Sequence, residues 1–245
     1  MIKHAIILAG GSGTRLRPVT LEIPKPLIPV QGLPITTWQV RWLVRYGVTQ
    51  VTVIIAPKWR AQFDRWVQET EAHLPVKMYL HEEPEPMGTL GAIVHQLHDH
   101  LEGPVIVTNG DELKGLDLRP LVEAHERLKQ KNDAHGATVG LIRVFNPSDY
   151  GVAELAGEHI IKFHEKPSHP PTNFINSGLY VLEPSALVNF PRDRPFLMFE
   201  KDLFPRLAEE RRLGGCGLEG PWYDCGTLER WGKAIHEWKE PEEKG

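Results

Sequence analysis

The order of apolar segments constrains the fold of this 245-residue chain more than any other feature. Two continuously apolar segments, Ala5–Ala9 and Val51–Ala56, are typical of strands buried on both faces of a parallel sheet, and Val76–His81 and Val105–Thr108 are further candidate strands. Apolar residues at helical spacing form two faces: Trp59, Phe63, Trp66 and Val67, and then Leu90, Ile93, Val94, Leu97 and Leu101. Strands that alternate with helices predict βαβ units.

The second half of the chain is richer in strands. We expect them at Ala137–Val144, Val152–Leu155, His159–Phe163 and Ser177–Leu182, with a hairpin that turns at Gly157. Two helices are predicted near Glu200–Arg212 and Thr227–Trp238. The predicted fold class is therefore α/β, a Rossmann-like mixed and mostly parallel sheet flanked by helices, in a single domain that spans residues 1–245.

Charge and composition exclude several function classes. A formal net charge of −4 provides no basic field for nucleic acid or an anionic membrane, so any phosphate-binding charge must be local. The apolar segment at the N-terminus is too short for a signal peptide or a membrane span. Two cysteines, Cys216 and Cys225, make neither a disulfide framework nor a Cys-based zinc site. We expect a cytoplasmic protein without nucleic-acid or membrane partners.

A glycine-rich loop, Gly10 to Leu16 (GGSGTRL), follows the first predicted strand directly. Glycines allow a tight turn that directs several N–H groups at an anion, and ligands of open α/β sheets bind at this end of the strands. The loop is not a dinucleotide fingerprint, which needs Gly or Ala at Leu16, and it lacks the Lys-Ser/Thr pair of a P-loop. Its own cation is Arg15, and Lys25 follows between two prolines that stiffen the backbone. The alternative is a strand-to-helix turn followed by an exposed proline-rich loop.

LAGGSGTRLRPVT, followed by PKPLIPV, resembles the signature of the sugar-nucleotide pyrophosphorylases. That family transfers a nucleoside monophosphate from an NTP to a sugar 1-phosphate and releases pyrophosphate. The resemblance implies that Arg15 binds the leaving pyrophosphate and that Lys25 binds phosphate near the reacting centre. It implies a loop that wraps the triphosphate, formed by Leu8, Ala9, Gly10, Gly11, Gly13 and Thr14.

The segment from Glu83 to Gly91 (EPEPMGTLG) opens the Leu90 helix pattern and resembles the base-recognition stretch of the family. The resemblance implies that Glu83, Gly88 and Thr89 contact the nucleotide. Gly88 would allow close approach of a flat ligand, and Thr89 could cap the helix. The alternative is an ordinary loop with a helix N-cap.

Three further segments match family elements that line the sugar pocket: Glu165-Lys166-Pro167, Tyr150-Gly151 and Asn176-Ser177-Gly178. The resemblance implies that Glu165 contacts the sugar and that Lys166 contacts its phosphate and takes part in catalysis. Many members have alanine where this chain has Ser177, which adds a hydroxyl near the sugar. The implied sugar-phosphate residues are Asn109, Tyr150, Gly151, Glu165, Lys166, Asn176 and Gly178.

Two aspartates follow predicted strand or turn segments far apart in the chain. Asp111 ends the Val105 strand segment, and Asp224 precedes a glycine and a helix. Each alone is typical of a turn or helix cap, but Mg²⁺ takes one or two carboxylates and completes its shell with water and phosphate. The resemblance implies that Asp111 and Asp224 hold the catalytic Mg²⁺.

The resemblance implies that a sugar 1-phosphate oxygen attacks the α-phosphorus of the NTP, with residues 1–115 as the NTP-binding half and 116–238 as the sugar-phosphate half. Some members carry a C-terminal left-handed β-helix, and we expect none in this chain because it ends before one could form. The best match is to members that use GTP with mannose 1-phosphate or a heptose 1-phosphate. The alternative substrates are dTTP or UTP with glucose 1-phosphate or another hexose 1-phosphate. Two other classes of protein remain open: a non-catalytic regulatory subunit and a glycosyltransferase. Glycosyltransferases usually carry an Asp-x-Asp metal motif, which Asp111-Glu112-Leu113 is not.

Other features lead to lesser predictions. His95 and His98 could share a helix face, and a solvated face is preferred over a zinc site. Trp231 and Trp238 lie two turns apart on the last predicted helix, and we expect a homodimer through them. The charged tail 239–245 is expected to fray.

Overall fold

The structure is a computed structural model that describes residues 1–241. Its strands are β1 His4–Leu8, β2 Pro29–Val30, β3 Leu33–Pro34, β4 Gln50–Ile55, β5 Lys77–Glu82, β6 Val105–Asn109, β7 Glu112–Lys114, β8 Ala137–Arg143, β9 Gly151–Ala156, β10 His159–Glu165, β11 Phe174–Leu182, β12 Leu213–Gly217 and β13 Trp222–Asp224. Its α-helices are α1 Ile35–Arg45, α2 Arg60–Glu71, α3 Arg119–Lys131, α4 Phe204–Glu209 and α5 Leu228–Glu237. The predicted fraying concerns residues 239–245, of which 242–245 lie outside the described residues.

Short helical turns complete the description. The 3₁₀ turns are Thr14–Leu16, Val19–Leu21, Lys25–Leu27, Pro57–Trp59, His98–His100, Pro147–Asp149 and Pro184–Ala186. Two π-helical turns occupy Ile93–Leu97 and Phe199–Leu203. No helix within residues 1–241 has both the length and the apolar character that crossing a bilayer requires.

The chain divides into two compact units, each built from separate segments. The N-terminal unit comprises Lys3–Glu85, Thr108–Leu116 and the chain from Gly220 onward. The central unit comprises Met1–Ile2, Pro86–Val107 and Asp117–Glu219. The predicted division at residue 115 into NTP-binding and sugar-phosphate halves remains a prediction.

The N-terminal unit is built on the parallel strands β5, β4 and β1, in that order. These strands are the apolar segments of the sequence, and Ile6, Ile7, Val51 and Val53 are fully buried, as expected for strands covered on both faces. Helix α2 buries Phe63 and Trp66, which lie on the predicted apolar face. The parallel βαβ arrangement predicted for this part of the chain is therefore present.

A second core of the N-terminal unit lies around Trp238. Trp238 is only 2% exposed and meets the edge of Trp38 with ring centroids 6.0 Å apart. The cluster also contains Leu16, Ile28, Val30, Ile35, Leu113, Cys225 and Ala234. The prediction that Trp238 forms a dimer surface is therefore wrong, because its ring is already covered by its own chain. Trp231 packs against the same cluster and donates from Nε1 to the carbonyl of Pro29 (3.0 Å).

The central unit holds a mixed sheet in the order β6-β11-β8-β12-β10-β9. Strands β8 and β12 are parallel, whereas β11 pairs antiparallel with β8, and β10 with β9. The β9–β10 hairpin turns at Gly157, whose φ of +64° lies in the left-handed region that favours glycine, as the sequence predicts.

Several elements differ from the prediction for identifiable reasons. The helix expected over Glu200–Arg212 is a π-helical turn followed by α4, because Pro205 lacks the N–H that an uninterrupted helix needs. Strand β12 is absent from the prediction because its sequence LGGCG contains three glycines. Those glycines permit close packing: a Cβ on Gly214 would collide with the side chain of Leu128. Helix α3 and the three-residue strands β7 and β13 are also absent from the prediction.

Candidate active site

The glycine loop follows the carboxyl end of β1, and Thr20 and Lys25 of the next segment pack against one side of it. Gly13 has a φ of +62°, and its carbonyl accepts a hydrogen bond from the Thr20 hydroxyl (2.8 Å). A Cβ on Gly13 would lie 2.9 Å from Cγ2 of Thr20 and 3.3 Å from Cβ of Lys25. The loop therefore requires glycine at this position, and Lys25 lies directly beside it.

Lys25 is held in place by the two prolines that flank it. Pro24, Lys25 and Pro26 are all buried, so this segment is not an exposed proline-rich loop. The ammonium of Lys25 donates to Oδ2 of Asp111, which follows the end of β6. Gly110 fixes that strand end against β1 by donating from its N–H to the Leu8 carbonyl (2.9 Å). The structure thus brings together Lys25, Asp111 and the glycine loop.

The Lys25–Asp111 ion pair determines the ionisation of the carboxyl group. Burial alone would raise the pKa of Asp111, but the charge and hydrogen bond of Lys25 outweigh it and lower the pKa below its usual range. The ammonium of Lys114 acts in the same direction. Asp111 is therefore ionised at neutral pH, as a ligand for a divalent cation must be.

The second aspartate reaches the same region through the antiparallel ribbon of β7 and β13. Asp224 lies opposite Glu112 in this ribbon, and the next residue, Cys225, donates from its N–H to the Asp111 carbonyl (3.1 Å). Asp224 accepts hydrogen bonds from Arg230 Nη1 (2.6 Å) and from the N–H of Gly226 (2.7 Å). The ribbon therefore places the two aspartates near each other.

Arg15 lies on the Asp224 side of this arrangement. A Cβ on Gly226 would lie 2.6 Å from Asp224 Oδ1 and 3.3 Å from Arg15 Nη2, so both groups approach the same glycine. The sequence alone does not identify Arg230, because its position relative to Asp224 depends on where α5 begins. At that helix start, the Thr227 side chain accepts a hydrogen bond from the Arg230 N–H (3.2 Å). Asp224, at the end of β13, is thereby held by a cation of the helix that follows it.

Cys225 is a packing residue. Its burial, together with the negative charges of Asp111 and Asp224, raises the pKa of the thiol to about 12. The thiol therefore stays protonated at neutral pH, and it lies in the apolar cluster around Trp238.

The donor set fits a divalent cation that carries its remaining ligands as water and phosphate. Two carboxylates, Asp111 just before β7 and Asp224 at the end of β13, match the number that Mg²⁺ takes from proteins. Within residues 1–241 there is no group of three or more His, Cys, Asp or Glu residues arranged to hold a metal ion. Substrate phosphate oxygens would have to complete the coordination.

Glu83 extends the ladder at the end of β5 and lies next to the glycine loop. Its N–H donates to the Ile55 carbonyl (2.8 Å), and its carboxylate occupies the space that a side chain at Gly10 would need, 2.5 Å from the Cβ position. Glu83 is 8% exposed. The structure therefore places this predicted nucleotide residue within the N-terminal unit, against the loop that the resemblance assigns to the triphosphate.

Gly88 and Thr89 lie in the central unit and contact the segment that precedes α4. Gly88 has a φ of +78°, and a Cβ there would collide with the Leu197 carbonyl. The Thr89 hydroxyl accepts from the N–H of Phe199 (3.0 Å) and donates to Glu200 Oε2 (3.0 Å). Instead of capping the Leu90 helix, Thr89 binds the Phe199–Leu203 turn.

The sugar residues predicted in the central unit fall into two groups. Glu165 lies opposite Gly151 in the β9–β10 pair, and Lys166 donates from its N–H to the Tyr150 carbonyl (3.2 Å). The Lys166 ammonium lies 3.4 Å from Glu165. The hairpin register therefore brings these four residues together.

The second group surrounds Glu200, which sequence reasoning did not assign to the site. Asn176 donates to the Tyr180 hydroxyl (2.8 Å), and that hydroxyl donates to Glu200 Oε1 (3.4 Å). Burial raises the pKa of Glu200, and the negative charge of Glu165 adds to the shift. The sequence signal for Glu200 is weak: it is a carboxylate in a phenylalanine-rich turn, and its hydrogen-bond partners Thr89 and Tyr180 are far away in sequence.

Ser177, next to Asn176, donates from its hydroxyl to the Gly140 carbonyl (2.7 Å) and is fully buried.

A glycine turn with two cations, Arg15 and Lys25, thus lies beside two aspartates in an α/β fold, and glycine turns and cations of this kind are what phosphate groups bind. A model of the Nucleotidyl transferase family matches residues 4–240, and the chain belongs to that family. The resemblance seen in the loop motif is thereby confirmed.

Curated relatives are similar over most of this chain. The mannose-1-phosphate guanyltransferase beta-A of Xenopus laevis is 37% identical over 227 residues, which cover 91% of this chain and 61% of that protein. A probable mannose-1-phosphate guanylyltransferase 2 of Arabidopsis thaliana is 36% identical with the same coverage. The chain thus spans about three-fifths of the length of these relatives.

Solved structures share the fold. A protein from Bacillus anthracis, described as a glucose-1-phosphate thymidylyltransferase, superposes with a TM-score of 0.84 at 26% identity, covering 96% of this chain and 94% of that one. A UDP-glucose pyrophosphorylase superposes with a TM-score of 0.76 at 24% identity, covering 96% and 98% of the two chains. The predicted α/β class with a mixed sheet and flanking helices is confirmed.

Proposed function

We propose that this protein transfers a nucleoside monophosphate from an NTP to a sugar 1-phosphate. An oxygen of the sugar phosphate forms a bond to the α-phosphorus, the bond between the α-phosphorus and its bridging oxygen breaks, and pyrophosphate leaves with that oxygen. The observation that carries the proposal is the contact of Lys25 with both Asp111 and the glycine loop. It supports a site where cations and ionised carboxylates surround one triphosphate.

The attacking phosphate is already ionised, so the reaction needs no protein nucleophile. The barrier lies in bringing two polyanions together and in the charge that builds up on the leaving group, so positioning and electrostatic stabilisation supply the catalysis. We assign the triphosphate to the loop of Leu8, Ala9, Gly10, Gly11, Gly13 and Thr14, pyrophosphate to Arg15, and phosphate near the reacting centre to Lys25. Because Lys25 lies between the loop and Asp111, it can bind phosphate without a large movement.

Members of this family generally use a divalent metal ion, and we propose Mg²⁺ held by Asp111 and Asp224. When bound, the ion would neutralise charge on the phosphate groups. Asp111 and Asp224 each contact a cation, Lys25 and Arg230 respectively. These contacts orient both carboxylates, and the contact with Lys25 also lowers the pKa of Asp111.

We propose GTP as the nucleotide. Two neighbouring N–H groups on the edge of guanine can both donate to a single carboxylate, which is an acceptor-only group. Glu83 provides such a carboxylate beside the glycine loop, and the curated relatives are named as guanylyltransferases. Uracil and thymine present one N–H between two carbonyls, which a carboxylate would repel. The thymidylyltransferase description of a structural neighbour makes dTTP, with UTP, the alternative.

We propose mannose 1-phosphate or a heptose 1-phosphate as acceptor, bound by Asn109, Tyr150, Gly151, Glu165, Lys166, Asn176 and Gly178. Lys166 is 62% exposed on its side chain and can reach a phosphate. The names of the relatives support mannose 1-phosphate, and glucose 1-phosphate or another hexose 1-phosphate is the alternative. In this proposal, Thr89 and Gly88 contact the base.

A pyrophosphate-release assay with five NTPs against several sugar 1-phosphates, with and without Mg²⁺, tests the proposal. We expect turnover that needs both substrates and the metal, with GTP and mannose 1-phosphate or a heptose 1-phosphate as the fastest pair. A regulatory subunit would bind these compounds and release no pyrophosphate from any pair. Fast turnover with dTTP and glucose 1-phosphate alone would replace the proposed substrates and keep the reaction class.

A cytoplasmic location and a homodimer also remain proposals. The free thiols of Cys216 and Cys225 support a reducing compartment. Since Trp238 is buried, the dimer would have to use another surface. Cell fractionation and light scattering measure the two properties directly.

A further inference from the structure

A buried ion pair next to Asp111 links several segments of the N-terminal unit. Lys114 is 1% exposed and Glu112 is 7% exposed, and the Lys114 ammonium donates to Glu112 Oε2 (2.7 Å). The Trp222 indole N–H donates to the same oxygen (3.1 Å). A buried ion pair usually contributes no more to the free energy of unfolding than well-packed apolar residues of the same size. Stability alone therefore does not account for the Glu112–Lys114 pair.

The other oxygen of Glu112 holds a residue that we assign to the sugar phosphate. Asn109 donates from Nδ2 to Glu112 Oε1 (2.9 Å). The carboxylate can only accept, and its second oxygen already receives two donors, so the group of Asn109 that faces it must be the NH₂. The amide oxygen of Asn109 then points to the other side of the planar group, where it can accept from a ligand.

The backbone around Asn109 and Glu112 is fixed from behind by Gln39 of α1. Its Nε2 donates to the carbonyls of Asn109 (2.8 Å) and Glu112 (2.5 Å), and Gln39 is fully buried. The turn that carries Asp111 is thus held by the Glu112–Lys114 pair through side chains and by Gln39 through the backbone.

We infer that Glu112 and Lys114 are positioning residues that fix the amide of Asn109 as a hydrogen-bond acceptor for a hydroxyl of the sugar 1-phosphate. Lys114 compensates the buried charge of Glu112, and Glu112 selects one of the two orientations of the Asn109 amide. The inference rests on the proposed function. It predicts that the pair affects the acceptor substrate and leaves the nucleotide unaffected.

The test variant is Glu112→Gln combined with Lys114→Met. Glu112→Gln alone would leave a buried ammonium without a counter-charge and could fail to fold, whereas the double variant is neutral and similar in volume. A glutamine at this position can donate to Asn109, which allows the amide to flip. We expect the KM for mannose 1-phosphate to rise about tenfold and the KM for GTP to stay within about twofold, as for loss of one hydrogen bond to substrate.

The same double variant made in an Asn109→Ala background separates positioning from a general structural role. If the pair acts through Asn109, it adds no further rise in KM once Asn109 is gone. Effects that multiply, or an unchanged KM for mannose 1-phosphate in the folded double variant, would overturn the inference. Glu183→Gln, a change at a partly buried acid paired with His125 in the central unit, is the matched control and should leave both KM values unchanged.

A readout that does not depend on turnover keeps this test distinct from that of the proposed function. In protein labelled with ¹⁵N-asparagine, the Asn109 NH₂ signal is identified by its loss in Asn109→Ala. We expect it to exchange slowly with solvent in the wild type and at least about tenfold faster in the double variant. Equal exchange rates would overturn the anchoring of Asn109 by the pair. A wild type inactive with every substrate pair would overturn the proposed function, and with it the sugar 1-phosphate as the ligand of Asn109, and would leave the anchoring itself standing.

Discussion

At the scale of single residues, the site depends on a few charged contacts that compensate one another. Lys25 lowers the pKa of Asp111, Arg230 contacts Asp224, and Arg15 approaches the same glycine as Asp224. Each carboxylate therefore has a nearby cation. The prolines on either side of Lys25 fix the backbone from which this side chain extends.

Asp111→Asn should reduce kcat by at least about a hundredfold, comparable with the loss of one key electrostatic group. The amide preserves the shape but removes the charge that pairs with Lys25 and that a metal ion would need. Steady-state kinetics with GTP and mannose 1-phosphate measure the effect, and circular dichroism confirms the fold. Asp133→Asn, at a fully exposed aspartate, is the control. Near-normal turnover in folded Asp111→Asn would contradict the assignment.

Glu83→Gln should lower kcat/KM for GTP by about tenfold to a hundredfold, because one charged hydrogen-bond acceptor becomes a donor where guanine also donates. The same change should reduce the preference for GTP over UTP. Competition assays with both nucleotides measure that ratio. A ratio equal to that of the wild type would exclude Glu83 from base recognition.

At the scale of elements, α5 joins the end of the chain to the loops of the site. Trp238 packs against Trp38 of α1 and lies in one cluster with Leu16, the last residue of the glycine loop, and with Cys225, which follows Asp224. The helix therefore stabilises the β7–β13 ribbon from behind. This explains why a tryptophan near the end of the last helix is buried.

Trp238→Ala should lower the free energy of unfolding by about 3–5 kcal/mol, the usual range for a large aromatic removed from a core. Urea denaturation measures the loss. A dilution series in light scattering should give the same molar mass for variant and wild type. Dissociation of a dimer in the variant, with unchanged stability, would contradict the burial of this side chain.

The fold was predictable from the sequence where local pattern decides structure. The strands rich in Val and Ile and the helix face of Phe63 and Trp66 follow from periodicity alone. Strand β12 was not predictable, because its glycines carry no strand signal and make sense only beside Leu128. Within the site, the glycine loop and Lys25 follow from the motif. The contacts of Glu200 depend on chain segments that meet only after folding, whereas the contact of Arg230 with Asp224 depends on where α5 begins.

At the scale of the whole molecule, stability should depend on pH through a buried group of histidines in the central unit. His135 and His125 both contact the Thr138 hydroxyl, at 2.9 and 3.0 Å, and His125 also contacts Glu183 (3.0 Å). Burial, with the nearby charge of His125, lowers the pKa of His135 from 6.5 to about 3. The folded state therefore binds fewer protons than the unfolded state below pH 6.5.

Because the pKa of His135 is lower in the folded state, its contribution is complete above pH 6.5 and is lost as the pH falls from 6.5 towards 3. The free energy of unfolding should fall by up to about 1.4 kcal/mol per pH unit for this one proton. Urea titrations between pH 6.5 and 5 measure how the free energy of unfolding changes with pH. The pKa of Glu183 is lowered from 4.5 by its hydrogen bond with His125, so this carboxyl does not titrate in that range. His135→Asn should flatten the pH dependence, and parallel curves for variant and wild type would contradict the assignment.

In the proposed reaction the nucleotidyl group passes directly from GTP to the sugar phosphate, and substrate positioning and charge replace a protein nucleophile. The configuration at the α-phosphorus, followed with one diastereomer of GTP carrying sulfur on that phosphorus, distinguishes this direct transfer from a covalent mechanism. A single in-line displacement by mannose 1-phosphate predicts inversion of configuration in the product. Retention would mean two displacements and a covalent nucleotidyl enzyme, and it would contradict direct transfer.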